Sequence, residues 1–257
     1  MIDQLWLVPL GFVAGVLGSM IGLGGGIIVV PILTFFGFPP TLAASSSLFA
    51  AFSNSVASTI SYSRQKRIEY SLGLKLGLLT VPGTIIGAYF SSDVSPEIFK
   101  ILFGFVLIAS AVYIFLRKKI ESKEKNLSQQ MMIFAVGASF FAGIISAFFG
   151  IGGGIIFVPL MVVGMGMAMK KAAPTSQLVL FFASLSGVIV HTILGHSDFL
   201  QAGLLSAGSF AGGLVGARLS LDIKERFLQI LVSVVIIGAA IKMFLDSLSG
   251  NLNLLNS

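Results

Sequence analysis

"GLGGGIIVVP" occupies residues 22–31, and "GIGGGIIFVP" occupies residues 150–159. The first lies near the start of the chain and the second past its middle, yet they differ at only two of ten positions. Each crowds four glycines into five positions and then places a proline. Glycine reaches backbone conformations closed to other residues, and proline lacks an N–H. Both stretches sit between long apolar runs, where a broken backbone is expensive.

The surrounding chain reads as lipid-embedded. Of 257 residues, 56% are hydrophobic and 10% are charged, against about 25% charged in soluble domains. Residues 5–63 carry no charge at all, far beyond the roughly 20 apolar residues that cross a bilayer. The first residues lack the basic region of a cleavable signal peptide. With no cysteine there is neither a disulfide nor a thiolate metal site. The net charge of +6 does not point to nucleic acid, because the basic residues fall in short clusters between apolar runs.

Turn signals and charges divide the chain into ten apolar segments: 5–21, 27–38, 41–63, 70–90 and 97–116, then 131–149, 155–167, 172–194, 200–219 and 226–245. The polar stretch 117–130 separates the halves. Residues 1–116 are expected to form a first repeat, 117–130 a cytoplasmic linker and 131–257 a second repeat, all within one membrane domain. The halves are copies. Gly15 pairs with Gly143 and Pro31 with Pro159 in one register. After one inserted residue, "AASSS" at 43–47 pairs with "AAPTS" at 172–176, and "GAYFSSD" at 87–93 with "GARLSLD" at 216–222.

Charge suggests how the copies are oriented. With 64–67 and 117–125 inside and an odd number of crossings per repeat, every Lys and Arg except Lys100 and Lys242 falls on the inner side. An even number would place Lys100, Lys170, Lys171, Arg218, Lys224 and Arg226 outside. The positive-inside rule therefore favours inverted repeats with both termini outside. Five full crossings and three crossings plus a re-entrant pair are both odd, and both stay open. The expected fold is an all-α polytopic membrane protein with two inverted-topology repeats of about five helical segments each, the short Gly/Pro-interrupted segments meeting near the midplane.

The glycines then acquire a reading. Segment 27–38 as a helix spans roughly 18 Å, short of the roughly 30 Å hydrocarbon core. Paired short segments broken by Gly and Pro mark the binding site of many transporters. Each would begin a helix whose free N–H groups and dipole favour an anion, with Pro31 and Pro159 expected in its first turns. The competing reading is close helix packing through small residues.

The doubled GxGGGxxxxP pattern, in a chain of this length, resembles the TauE/SafE family of sulfite exporters from about Gly11 to Met243. The resemblance implies a membrane permease for sulfite or an organosulfur anion such as sulfoacetate, in the cell inner (plasma) membrane. The alternatives are a passive anion channel or a non-conducting assembly subunit.

The candidate substrate-binding residues are Gly24, Gly25, Gly26 and Asn54 from the first half and Gly152, Gly153, Gly154 and Gln177 from the second. Ser47, Ser176, His191 and Arg218 are secondary candidates. Asn54 and Gln177 stand out because amides are costly in lipid; Ser and Thr can bond their own helix. All Asp and Glu lie at segment ends or in loops, so the pathway suits an anion better than a cation. Nothing resembles a catalytic constellation, so no enzyme, cofactor or metal is expected. The expected partners are a small anion and the lipid bilayer, not nucleic acid; oligomeric state is unread, with a homodimer one option.

Overall fold

The computed structural model describes residues 4–91, 94–116, 129–221, 237, 238, 240 and 241. The expected linker lies outside the described residues except at 129 and 130, and the tenth segment except at those last four positions. The described elements are helical: α1 (Leu7–Ile21), α2 (Gly26–Phe35), α3 (Pro40–Arg64), α4 (Tyr70–Phe90), α5 (Pro96–Leu116), α6 (Gln129–Phe149), α7 (Gly154–Pro159), a π-helical turn (Leu160–Gly164), α8 (Met169–Ile193) and α9 (Phe199–Leu219). No strand occurs among the described residues. The helices α4, α8 and α9 are long and apolar enough to cross a membrane. Large apolar side chains such as Phe105, Phe134, Phe141 and Ile193 point outward, as expected where lipid is the solvent. The chain is an all-α membrane protein.

Helices pack across the two halves. The α1 helix runs along α9 and α6 along α4; α3 packs on α9 and α8 on α4; α3 and α8 lie against each other. Exchanging the halves converts each of these pairings into another of them, and the α3–α8 pair into itself. That pair therefore sits at the centre.

Small residues allow these approaches. A Cβ added at Gly15 of α1 would lie 2.6 Å from the Ser209 carbonyl oxygen of α9. One added at Gly87 of α4 would lie 2.8 Å from the Ile144 carbonyl carbon of α6. Without a side chain in the way, backbones close to van der Waals contact, which supplies much of helix association in lipid.

One expectation needs correcting. Pro31 and Pro159 are not in the first turn of their helices. Each is the sixth residue, inside α2 and at the end of α7. There the missing N–H interrupts the i→i−4 ladder. In the second half the chain responds by widening: Leu160–Gly164 is π-helical, and the Met165 N–H donates to the Leu160 carbonyl at 3.0 Å.

Candidate substrate site

Each glycine stretch ends one helix and starts the next. Gly22 caps α1 in the left-handed conformation (φ 83°), the usual glycine helix terminator. The Gly18 carbonyl accepts from the N–H groups of Gly22, Leu23 and Gly24 at 2.9, 2.9 and 3.3 Å. Gly25 (φ 77°) is then the N-cap of α2, and its carbonyl accepts from Ile28 and Val29. The second half repeats this: Gly153 (φ 78°) caps α7, and its carbonyl accepts from Ile156 and Phe157. The N–H groups of Gly26 and Ile27 have no acceptor within their helix.

The two loops meet. A Cβ at Gly26 would lie 2.5 Å from the Gly150 carbonyl oxygen and 2.8 Å from the Ile151 Cα; one at Gly154 would lie 2.7 Å from the Leu23 Cα. Ser47 of α3 donates to the Gly150 carbonyl at 2.7 Å, and Ser176 of α8 donates to the Gly22 carbonyl at 2.8 Å. Each central helix thus holds the loop of the opposite half. Added Cβ atoms at Gly22, Gly25, Gly26, Gly150 and Gly154 would strike backbone closer than 3 Å, so close approach of backbones calls for glycine at these positions. Gly25 faces the Ala14 carbonyl oxygen at 2.8 Å. Gly24, Gly152 and Gly153 have no backbone atom that near; at Gly24 and Gly152 the nearest atoms are the methyls of Leu180.

The remaining candidates divide. Gln177, buried in α8, donates from Nε2 to the Gly18 carbonyl at 3.0 Å and leaves its Oε1 without a partner. It belongs to the loop crossing. Asn54, also buried, packs against Gly213 of α9; its Oδ1 accepts from Ser58 at 3.3 Å and its Nδ2 has no partner. His191 is buried at the far end of α8, with Nε2 2.9 Å from the Ala147 carbonyl and Nδ1 3.2 Å from Nδ1 of His196. Burial lowers the pKa of His196 below its usual value. Arg218 is exposed in the last turn of α9 and is not part of the crossing. Among the described residues, no Asp, Glu, Lys or Arg is buried.

Sequence reading missed Arg67. It lies 5.2 Å above the Tyr62 ring and donates to the Lys170 carbonyl, the Gln65 Oε1 and the Ser220 hydroxyl, each at 2.9 Å. One guanidinium so gathers the ends of α3 and α9 and the start of α8. The duplication carried a signal for it. In the register that pairs Ala43 with Ala172, Arg67 corresponds to His196. The His196 ring lies against His191, 5.3 Å between centroids, as Arg67 lies against Tyr62.

A model of the family described as "Sulfite exporter TauE/SafE" matches residues 7–243, nearly the whole chain. The chain belongs to this family. A similar relative, the probable membrane transporter protein YunE of Bacillus subtilis, is 31% identical over 90% of this chain and 93% of its own. A probable membrane transporter protein of Methanocaldococcus jannaschii is 29% identical over 88% of this chain and 90% of its own. The probable membrane transporter protein YfcA of Escherichia coli is 25% identical over 96% and 93%. No solved structure matches. The TauE/SafE chain described above is therefore a membrane protein of a transporter family, and its relatives carry transporter names rather than enzyme names.

Proposed function

We propose that this chain is a secondary transporter that exports a small anion, either sulfite or an organosulfonate such as sulfoacetate. One observation carries the reading: two left-handed glycine loops, each opening a helix, touch at the centre of the bundle with no buried charge of either sign among the described residues. A helix N-terminus offers unbonded N–H groups and about half a unit of positive charge. Such an end attracts an anion without gripping it as a buried arginine would. The backbone at Gly24, Gly25, Gly26, Gly152, Gly153 and Gly154 lines the site, and the free Asn54 amide adds a donor. Gln177, through its bond to Gly18, positions the first loop. Membership of the sulfite exporter family supplies the sulfur chemistry.

In this reading the repeats are inverted, both termini face outward, and the protein sits in the plasma membrane. The clustering of Arg67, Lys170 and Ser220 at one end supports a single basic, inner face.

Thermal unfolding of the purified protein tests the ligand class, since a ligand of the folded state raises its stability. Sulfite or sulfoacetate is expected to raise the midpoint in a saturable way, and acetate and zwitterionic taurine to leave it unchanged. If no sulfur anion does more than acetate at equal ionic strength, the sulfur assignment is wrong.

A further inference from the structure

Leu180 breaks the symmetry of the loop crossing. It is fully buried in α8, and its side chain reaches both glycine loops at once. A Cβ added at Gly24 would lie 3.2 and 3.3 Å from its two terminal carbons; one added at Gly152 would lie 2.8 Å from Cδ2. At these two positions, as at Gly153 beside Phe157 and Ser146 but not at Gly22, Gly26, Gly150 or Gly154, side chains rather than backbone lie nearest the glycine; Leu180 alone serves both loops. In the register that pairs Ala43 with Ala172, the first repeat holds Ala51 where the second holds Leu180. The Ala51 Cβ would lie 3.5 Å from a Cβ at Gly152. The crossing therefore has one bulky apolar group on one side and a methyl on the other.

We infer that Leu180 is the plug of the anion site: it covers the backbone of Gly24 and Gly152, must swing aside for an anion to reach them, and by its size limits which anions pass. The inference rests on the anion-transport reading above. An isobutyl group has nothing to offer an anion, so its place against two glycines that no backbone atom crowds is that of a gate. A single plug also leaves a short way round, past Ala51, once it moves.

The test uses the absence of native cysteine. Ala51→Cys places one thiol beside Gly152. The probe is 2-sulfonatoethyl methanethiosulfonate, a small sulfonate; the thiolate attacks its sulfenyl sulfur, forming a mixed disulfide and releasing methanesulfinate. With Leu180 in place, labelling of purified, folded protein should be slow. With Leu180→Ala it should be at least tenfold faster, and with Leu180→Phe no faster than with leucine. Equal rates for leucine and alanine, both proteins being monodisperse, would overturn the plug. Should the alanine variant fail to fold, Leu180→Val replaces it, with an intermediate rate expected and an unchanged rate counting against the plug. Sulfite movement into liposomes is measured on the same proteins. Size-dependent labelling without sulfite movement would remove the sulfite reading and leave the plug standing.

Discussion

Tyr62 and His191 occupy the same place in the two repeats and do the same job with different chemistry. The Tyr62 hydroxyl donates to the Ser19 carbonyl at 2.8 Å; His191 Nε2 lies 2.9 Å from the Ala147 carbonyl. Both carbonyls fall just before a glycine loop. Removing one hydrogen bond to a buried carbonyl costs about 1 kcal/mol, and interhelical bonds in membrane proteins are of similar size. Tyr62→Phe and His191→Phe are each expected to lower the unfolding free energy in detergent by about 1 kcal/mol, while His191→Tyr keeps a donor and loses less. Equal losses for His191→Phe and His191→Tyr would show that the bond to Ala147 contributes nothing. The sequence singled out His191 as a polar residue inside an apolar segment, yet passed over Tyr62, since one tyrosine in an apolar segment looks like any core aromatic. Only the register that pairs Ala43 with Ala172 brings the two together.

The helices and loops were largely legible because their signals are local. Glycine density marked both loops, and the short segments after them are short in the structure: α2 has 10 residues and α7 has 6. The prolines were placed too early, since even in the expected segments each is the fifth residue; the helices begin one residue sooner, at Gly26 and Gly154, with a left-handed glycine as cap. The loop crossing explains why the glycines seemed ambiguous. Some face backbone of the other repeat and some do not, a difference invisible in composition. Helix seams give a sharper contrast. Gly15→Leu would drive a side chain into the Ser209 carbonyl of α9, at 2.6 Å for the Cβ alone; overpacking of this kind costs about 1–3 kcal/mol or prevents folding. Gly203, in α9 with open space around it, should accept alanine and gain roughly 0.5–1 kcal/mol of helix propensity. Unfolding of both variants in the same micelles checks the pair, and a Gly203→Ala protein as damaged as Gly15→Leu would mean that α9 is packed differently.

At the scale of the whole molecule, the symmetric helix pairing follows from the duplication, whereas the basic end marks a difference between the copies, since His196 stands at the position of Arg67; both bear on orientation. Single cysteines at Ser128 and Lys171 should resist an impermeant thiol reagent in intact cells while one at Ser197 reacts; the opposite pattern would invert the proposed topology. Duplication leaves the substrate unspecified, because sulfite, sulfoacetate and acetate all present a small negative group to a helix end. A carrier that exposes its site to one side at a time is expected to show counterflow. The most direct measurement is counterflow: proteoliposomes loaded with unlabelled sulfite, diluted into trace labelled sulfite, with the membrane potential clamped. A carrier accumulates label transiently above equilibrium, saturates with sulfite, and shows neither effect when the liposomes hold only acetate. Label that merely equilibrates, at a rate linear in concentration and indifferent to internal sulfite, would contradict a sulfite carrier and identify a passive pore.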